Sequence, residues 1–374
     1  MDEHPRVSIL MPIRDGLPHL ITAVDSIRKQ LFENFELIAI DDGCQDGSRP
    51  LLQSLSREDA RIRIFDGSGT GLVDALNLGL AQCRAPLVAR MDADDLSHPD
   101  RIGMQVSAMD ANVQLIVLGS AIHMIDANGN NLGHRSYPVG SAAVRQALLM
   151  GPPVAHPSVM FRRDPVRDLG GYRAWFRHCE DYDLWLRCSR LGSGSIDNLP
   201  HTLLDYRIHP DSISQKHPLE QHERCEIAWW LHKLHLAGLT EPALLTEDDA
   251  VTVCERFPLS WRTCVRAGLL LQRTALVGGK ARDRVQAHLL SLLFDGVSES
   301  PSSEVLVAFH LRAAGWELRR ASLSATAREF IAAGMSSPSL ALLGLIRRLA
   351  GIRTAHAHCW LEPRQHAGSE ISEP

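Results

Sequence analysis

Apolar residues fall into two rhythms along this chain. Positions 6–11 and 35–40 are short continuous runs rich in branched aliphatics, and 19–31 between them carries apolar side chains at helical spacing. Strand, crossing helix and second strand make one βαβ unit. The alternation continues with helical patterns at 48–56, 71–81 and 99–109 and strand-like runs at 62–65, 87–91 and 115–119. Strands that are apolar on both faces and alternate with helices predict a mostly parallel, Rossmann-like α/β sheet covered by helices. Asn128-Gly129, between the apolar stretch 122–125 and Leu132, predicts a hairpin that breaks the regular winding. A strand at 158–162, a helix at 181–191 and an extended segment at 202–208 follow.

Past about Ser214 the texture changes: Leu, Ala and Arg dominate and helical periodicity takes over. Two domains are therefore expected in 374 residues: an α/β catalytic domain over 1–214 and a mainly helical accessory region over 215–374 with a polar C-terminal tail. With 45% apolar and 22% charged residues, usage is that of a globular protein and excludes general disorder. Lys+Arg number 39 against 44 Asp+Glu, a net charge of −5, so nucleic acid is not an expected partner. The acids concentrate in the first 214 residues, which hold 27 against 21 Lys+Arg. Eight cysteines are scattered with no CxxC pair, and the start is acidic with no secretory core, which predicts a cytoplasmic location. No run reaches the roughly 20 apolar residues that a bilayer crossing needs. The helix-patterned 339–353, with Leu342, Leu345, Ile346 and Leu349 near Arg347, Arg348 and Arg353, is the one candidate for peripheral contact with the inner face of a membrane. Packing on the catalytic domain is favoured over that contact.

Candidate chemistry sits at three acidic turns. Arg90-Met91-Asp92-Ala93-Asp94-Asp95 directly follows an apolar strand. Ligand sites in open α/β sheets lie at the carboxyl ends of strands, and side chains two apart on extended chain face the same way. Asp92 and Asp94 can thus converge, and an oxygen-only pair suits Mg²⁺ or Mn²⁺ shared with a diphosphate. The alternative is a solvated loop in which Asp95 or Ser97 caps the next helix. Arg90, two residues before Asp92, shares its face and braces it or approaches phosphate. Asp41-Asp42-Gly43 follows the second strand in the equivalent position, where carboxylates accept hydrogen bonds from a nucleobase or ribose. Asp46 and Ser48 beyond it read as helix caps. Glu180-Asp181-Tyr182-Asp183 opens a helix; Glu180 and Asp183 read equally well as dipole partners, and Asp181 becomes a general base only if the helix start borders the crevice.

Seven collinear strings, VSILMPIRDG, FELIAIDDGCQDGS, GLVDALNLGL, LVARMDADDLSHPDRI, PPVAHPSVMFRR, CEDYDLWLR and YRIHPDSIS, resemble the family 2 glycosyltransferases of the GT-A fold. The resemblance covers roughly 6–214 and implies inverting transfer from a nucleotide-diphosphate sugar, UDP being favoured by family habit, to a hydroxyl of a glycan or lipid-linked acceptor. It implies donor contacts at Pro12, Arg14, Asp41, Asp42, Arg90, Asp92 and Ala93. It further implies a metal held by Asp92, Asp94 and His209, and a base at Asp181 with Glu180 next in line. The chain departs from many relatives at Arg14-Asp15, where Tyr-Asn is common, and at Cys44-Gln45 and Gly69; none of these changes touches an assigned carboxylate.

Rival classes meet specific obstacles. A sugar-phosphate nucleotidyltransferase wants a basic, Gly-rich loop after the first strand, and Met11-Pro12-Ile13-Arg14-Asp15-Gly16 is poor in both. Asp66-Gly67-Ser68-Gly69-Thr70-Gly71 lacks the G-x-G-x-x-G spacing, and no P-loop sequence occurs. A non-catalytic carbohydrate- or nucleotide-binding protein would have no use for acids at all three turns. His217, His222, His232 and His235 lie among tryptophans without ligand spacing and read as core edge or surface.

Overall fold

The computed structural model describes residues 4–209, 218–245 and 248–258, with isolated positions beyond as far as 269. The helix-patterned 339–353 lies outside the described residues. Nine strands form one sheet: β1 (Val7–Ile13), β2 (Phe35–Asp41), β3 (Ile62–Asp66), β4 (Leu87–Arg90), β5 (Leu96–Ser97), β6 (Val117–Ile125), β7 (Asn131–Arg135), β8 (Met160–Arg162) and β9 (Ile196–Arg207). Their order is β3-β2-β1-β4-β8-β6-β9-β5, with β7 on β6. Six strands run one way and β5, β7 and β8 run against them. The described helices are α1 (Leu20–Arg28), α2 (Ser48–Glu58), α3 (Leu72–Gln82), α4 (Arg101–Ala111), α5 (Ser141–Leu148), α6 (Arg163–Asp168), α7 (Glu180–Cys188), α8 (Pro218–Leu236) and α9 (Ala250–Glu255).

Alternation along the strands divides the core in two. Val7, Ile9, Met11 and Ile13 of β1, with Leu37 and Ala39 of β2, face one layer that includes Leu20, Val24 and Leu52. Leu10, Ile38 and Ile40 face the other, with Leu76 of α3, Trp185 of α7 and Trp230 of α8. Both faces of the central strands are dry, which is why their sequences read as unbroken apolar runs. Gly79 lets α3 lie directly on the sheet: a β-carbon there would overlap the Leu10 Cδ1 methyl. At the opposite end from the acidic turns, buried Glu36 takes donors from Ser8, Arg63 and Arg84.

The expected βα alternation from β1 to α4 and the hairpin at Asn128-Gly129 are present. Three boundaries differ. The runs at 115–119 and 122–125 are one strand, β6, joined through buried Ser120, whose N–H donates to Ser158 Oγ at 3.2 Å. The extended segment at 202–208 begins already at Ile196, since a shift in register against β6 accommodates Pro200 and His201. The helix expected at 181–191 starts at Glu180 and tightens into a 3₁₀ turn at Ser189–Leu191. Among the described residues no helix is long and apolar enough to cross a membrane.

Candidate active site

β1 carries the site, with an acidic turn on either side of it. Asp42 N–H donates to the Ile13 carbonyl at 2.8 Å, and Met91 N–H donates to the Leu10 carbonyl at 3.0 Å. Pro12, buried in β1, stands opposite Ile40 of β2, and Ala93 lies against Gly16 just past β1.

On the β2 side the carboxylates organise backbone. Asp41 accepts from Cys44 N–H at 2.9 Å and from Arg49 Nη1 at 3.0 Å. Burial alone would raise its pKa, and these donors lower it instead. Asp42, 2% exposed, accepts from Gly69 N–H at 2.9 Å and Gly71 N–H at 3.1 Å, which wraps the 66–71 loop around the end of β2. Arg14 donates to the Gly69 carbonyl at 3.2 Å and lies 3.7 Å from Asp42. It is therefore committed to this loop. Asp46 accepts from Ser48 N–H at 2.9 Å and Leu17 N–H at 2.7 Å, and Ser48 Oγ accepts from Gly16 N–H at 2.9 Å, so both tie the start of α2 to the β1 turn.

On the β4 side the aspartates gather as expected. Carboxylate oxygens of Asp92, Asp94 and Asp95 lie within 4.8 Å of one another. His209, following β9, has Nε2 at 2.9 Å from Asp94 Oδ2. Asp95 caps no helix: α4 begins at Arg101, and Asp95 is fully buried with Oδ1 on the Arg207 N–H at 2.8 Å and Oδ2 unpartnered. Burial, with the charges of Asp92 and Asp94, pushes the Asp95 pKa well above the usual carboxylate range, and burial raises Asp92 as well. Three hard oxygen donors that repel one another, with an imidazole alongside, fit a divalent cation of the Mg²⁺ or Mn²⁺ kind.

Arg90 joins this cluster to the third acidic turn. It is 3% exposed, and its Nη2 pairs with Asp92 Oδ1 at 2.5 Å. Its charge also reaches Glu180 and Asp181 at the start of α7 and works against the burial that raises both. Burial and then the charge of Asp181 push Glu180 up to about 8; burial pushes Asp181 up to about 6. Asp183, by contrast, is clamped by Arg173 and by Arg187 at 2.8 Å and serves structure. Glu180 Oε2 is buried without a hydrogen-bond partner among the described residues, and Asp181 keeps partial exposure.

Sequence reasoning missed four neighbours. Arg207 holds the Asp94 carbonyl at 2.8 Å through Nε and the Asp126 carbonyl at 2.9 Å through Nη1. Arg101, fully buried, donates to the Arg90 carbonyl at 2.7 Å. His156 pairs with Tyr172 Oη at 3.0 Å beside Arg90, whose charge, after burial, holds the imidazole neutral. Burial and then the charge of Arg207 lower the His19 pKa, with Asp94 opposing them. Arg207, Arg101 and His156 stand in the strings YRIHPDSIS, LVARMDADDLSHPDRI and PPVAHPSVMFRR, but nothing in those strings marks them as site residues.

A helix-covered, mostly parallel α/β sheet with a carboxylate cluster past the end of β4 and an acidic pair opening α7 is the architecture of the GT-A fold. Residues 8–170 match the model of Glycosyl transferase family 2. The O-antigen biosynthesis glycosyltransferase WbnJ of Escherichia coli is 34% identical over 220 residues, which is 58% of this chain and 85% of that protein. The amylovoran biosynthesis glycosyltransferase AmsE of Erwinia amylovora is 30% identical over 205 residues, 53% of this chain and 74% of that protein. The chain belongs to glycosyl transferase family 2. Its fold is shared with S. aureus TarS 1–349, solved in complex with UDP-GlcNAc: TM-score 0.55 at 12% identity, over 88% of this chain and 91% of that one.

Proposed function

We propose that this glycosyltransferase moves a sugar from a nucleotide diphosphate, UDP being favoured, to a hydroxyl of a glycan or lipid-linked acceptor with inversion, in polysaccharide or glycoconjugate biosynthesis. The observation that carries the reading is the carboxylate cluster of Asp92, Asp94 and Asp95 past the end of β4, with His209 Nε2 at 2.9 Å from Asp94. The names of WbnJ and AmsE, and the UDP-GlcNAc bound to TarS, support it.

In this reading Asp92, Asp94 and His209 hold a Mn²⁺ or Mg²⁺ ion, which when bound neutralises the donor's diphosphate. Asp41 and Asp42, with Arg14 and Pro12, form the wall for the nucleoside. Part of that role is indirect, since Asp42 shapes the 66–71 loop through its bonds to Gly69 and Gly71. Ala93 borders the donor, and buried Arg90 braces Asp92. Asp181 takes the proton from the acceptor hydroxyl as its oxygen bonds to the anomeric carbon, and the bond from that carbon to the diphosphate oxygen breaks with its electron pair on phosphate. A good leaving group needs no second carboxylic acid, unlike glycoside hydrolysis.

Screening nucleotide sugars for metal-dependent release of nucleoside diphosphate tests this directly. Turnover with at least one donor in Mn²⁺ or Mg²⁺ is expected. Asp94→Asn abolishes it and weakens nucleotide binding only when the divalent ion is present. Nucleotide binding whose metal dependence survives Asp94→Asn would remove Asp94 from the metal site.

A further inference from the structure

The turn that feeds α7 is held from outside the nucleotide crevice. His178 has φ of 68°, a left-handed conformation that a residue with a β-carbon keeps only where its surroundings enforce it. Cys179 follows, then Glu180 and Asp181, so any relaxation of this turn re-aims the acidic pair. No side chain caps α7 at Cys179.

The enforcement comes from one face of α8. Gln221 Nε2 donates to the His178 carbonyl at 2.8 Å. Buried Arg224 donates Nη1 to the Arg177 carbonyl at 3.1 Å, while its Nη2 stands 2.6 Å from Glu220. Glu220 also accepts from Arg177 Nε at 2.8 Å. Cys225 Sγ lies 2.7 Å from Cys179 Sγ. Residues 220, 221, 224 and 225 share a helix face, so a single element grips three successive residues of the turn. Strained backbone gripped this tightly is a recurring feature of active sites. α8 lies beyond the residues matched by the family model, which end at 170.

We propose that α8 is a positioning element for transfer: Gln221 and Arg224 hold the 177–179 turn so that Asp181 is presented to the acceptor. This rests on Asp181 as the base. A displacement near 1 Å at a reacting group lowers the rate by roughly 10²-fold, so a small relaxation of the turn is enough to matter.

The test uses the full chain and two variants, Gln221→Leu and Gln221→Leu with Arg224→Met. The first readout needs no activity: labelling by N-ethylmaleimide, mapped by peptide mass. Cys179 is 1% exposed in the native turn and is expected to be protected, as is Cys83 on α3's flank at 5%. The double variant is expected to label Cys179 at least roughly tenfold faster while Cys83 stays protected. The second readout is turnover, which is expected to fall roughly 10- to 100-fold with nucleotide affinity unchanged, Arg224→Lys recovering part of the loss. Unchanged Cys179 labelling in the double variant overturns the proposal, as does a loss of turnover matched by a loss of nucleotide affinity. If the double variant also exposes Cys83, Gln221→Leu alone decides on the same two criteria. A wild-type chain inactive on every donor tells against the proposed function, whereas the labelling still reports whether α8 holds the turn.

Discussion

The two acids at the start of α7 are neighbours in sequence, and their environments assign them opposite protonation states. Burial and the adjacent charge push Glu180 up to about 8, while Asp181 reaches about 6. Burial raises both, Glu180 further than Asp181, so near neutral pH Asp181 is the more ionised of the two. Asp181 is then the free base and Glu180 a neutral acid. Glu180→Gln reproduces that neutral form, so turnover at pH 7 is expected to stay within roughly threefold of wild type. Asp181→Asn removes the base and is expected to lower turnover by roughly 10²–10⁴. Nucleotide binding should be near normal in both.

The pH profile separates the two acids further. Wild-type turnover should fall on the acid side of about pH 6, reaching roughly a tenth of its plateau at pH 5. Glu180→Gln should keep that limb, because Glu180 is already protonated when Asp181 titrates. Steady-state donor turnover from pH 4.5 to 9 is the assay. Equal losses in the two variants, or an acid limb retained in Asp181→Asn, would move the base to Glu180 and refute this ordering. Stability carries the opposite sign from activity. A carboxyl whose folded pKa is raised favours the fold while protonated, so the Glu180 contribution is full below pH 4.5 and declines as pH rises towards about 8.

Three further substitutions probe fold and site separately. Glu36→Gln should destabilise the chain by about 2 kcal/mol at pH 7, less than a fully buried pair, since half-exposed Arg84 can turn to water. Burial alone would raise the Glu36 pKa, but donors from Ser8, Arg84 and Arg63 lower it. Its stabilisation is therefore present above pH 4.5 and lost as pH falls through the depressed value, and denaturant unfolding should show a smaller wild-type advantage at pH 3 than at pH 7. Gly79→Ala should cost about 1–3 kcal/mol by crowding Leu10 and Ile40, more than the helix gains from alanine; a stabilised variant in the same unfolding assay would refute the close approach of α3. Arg207→Met frees the Asp94 carbonyl and should lower metal-supported nucleotide affinity roughly 10- to 100-fold, with affinity in a chelator unchanged; equal losses in calorimetric titrations under both conditions would refute a role at the metal end.

Hydrophobic period exposes faces and leaves partners hidden. The strands from β1 to β4 are legible because burial on both sides makes them continuous apolar runs, and their helices because one stripe is buried. The direction of β8, antiparallel to both β4 and β6, has no sequence mark. Buried polar residues misled in the same way: Ser120 splits an apolar strand in the sequence, and its hydroxyl, donating to the Ala121 carbonyl at 3.0 Å, is satisfied inside. The acidic turns were legible because carboxylates at strand ends have few structural uses. The uses they do have were not: Asp42 organising a glycine loop and Asp95 holding β9 both depend on backbone N–H groups from distant segments. Arg207, His156 and the grip of α8 on residues 177–179 are contacts across long separations that neither spacing nor composition encodes.

Charge around Arg90 couples the two acid clusters of the proposed site. Its guanidinium is buried, pairs with Asp92 through Nη2, and leaves Nε and Nη1 without hydrogen-bond partners among the described residues. Such donors are costly to bury unless neighbouring negative charge compensates them. Asp92 supplies that charge through its ion pair, and Glu180 and Asp181 also feel Arg90. One cation cannot hold all of these carboxyls ionised at this depth. The outcome is that Asp95 and Glu180 are driven towards protonation while Asp181 stays near the threshold of ionisation. A second positive charge near Asp94 would draw Asp92 towards itself and loosen its hold on Arg90. The guanidinium would then act more strongly on Asp181 and lower its pKa, so saturating divalent cation should move the acid limb of turnover to lower pH than limiting cation. Comparing the acid limbs at the two cation concentrations measures that shift, and identical limbs would break the link through Arg90.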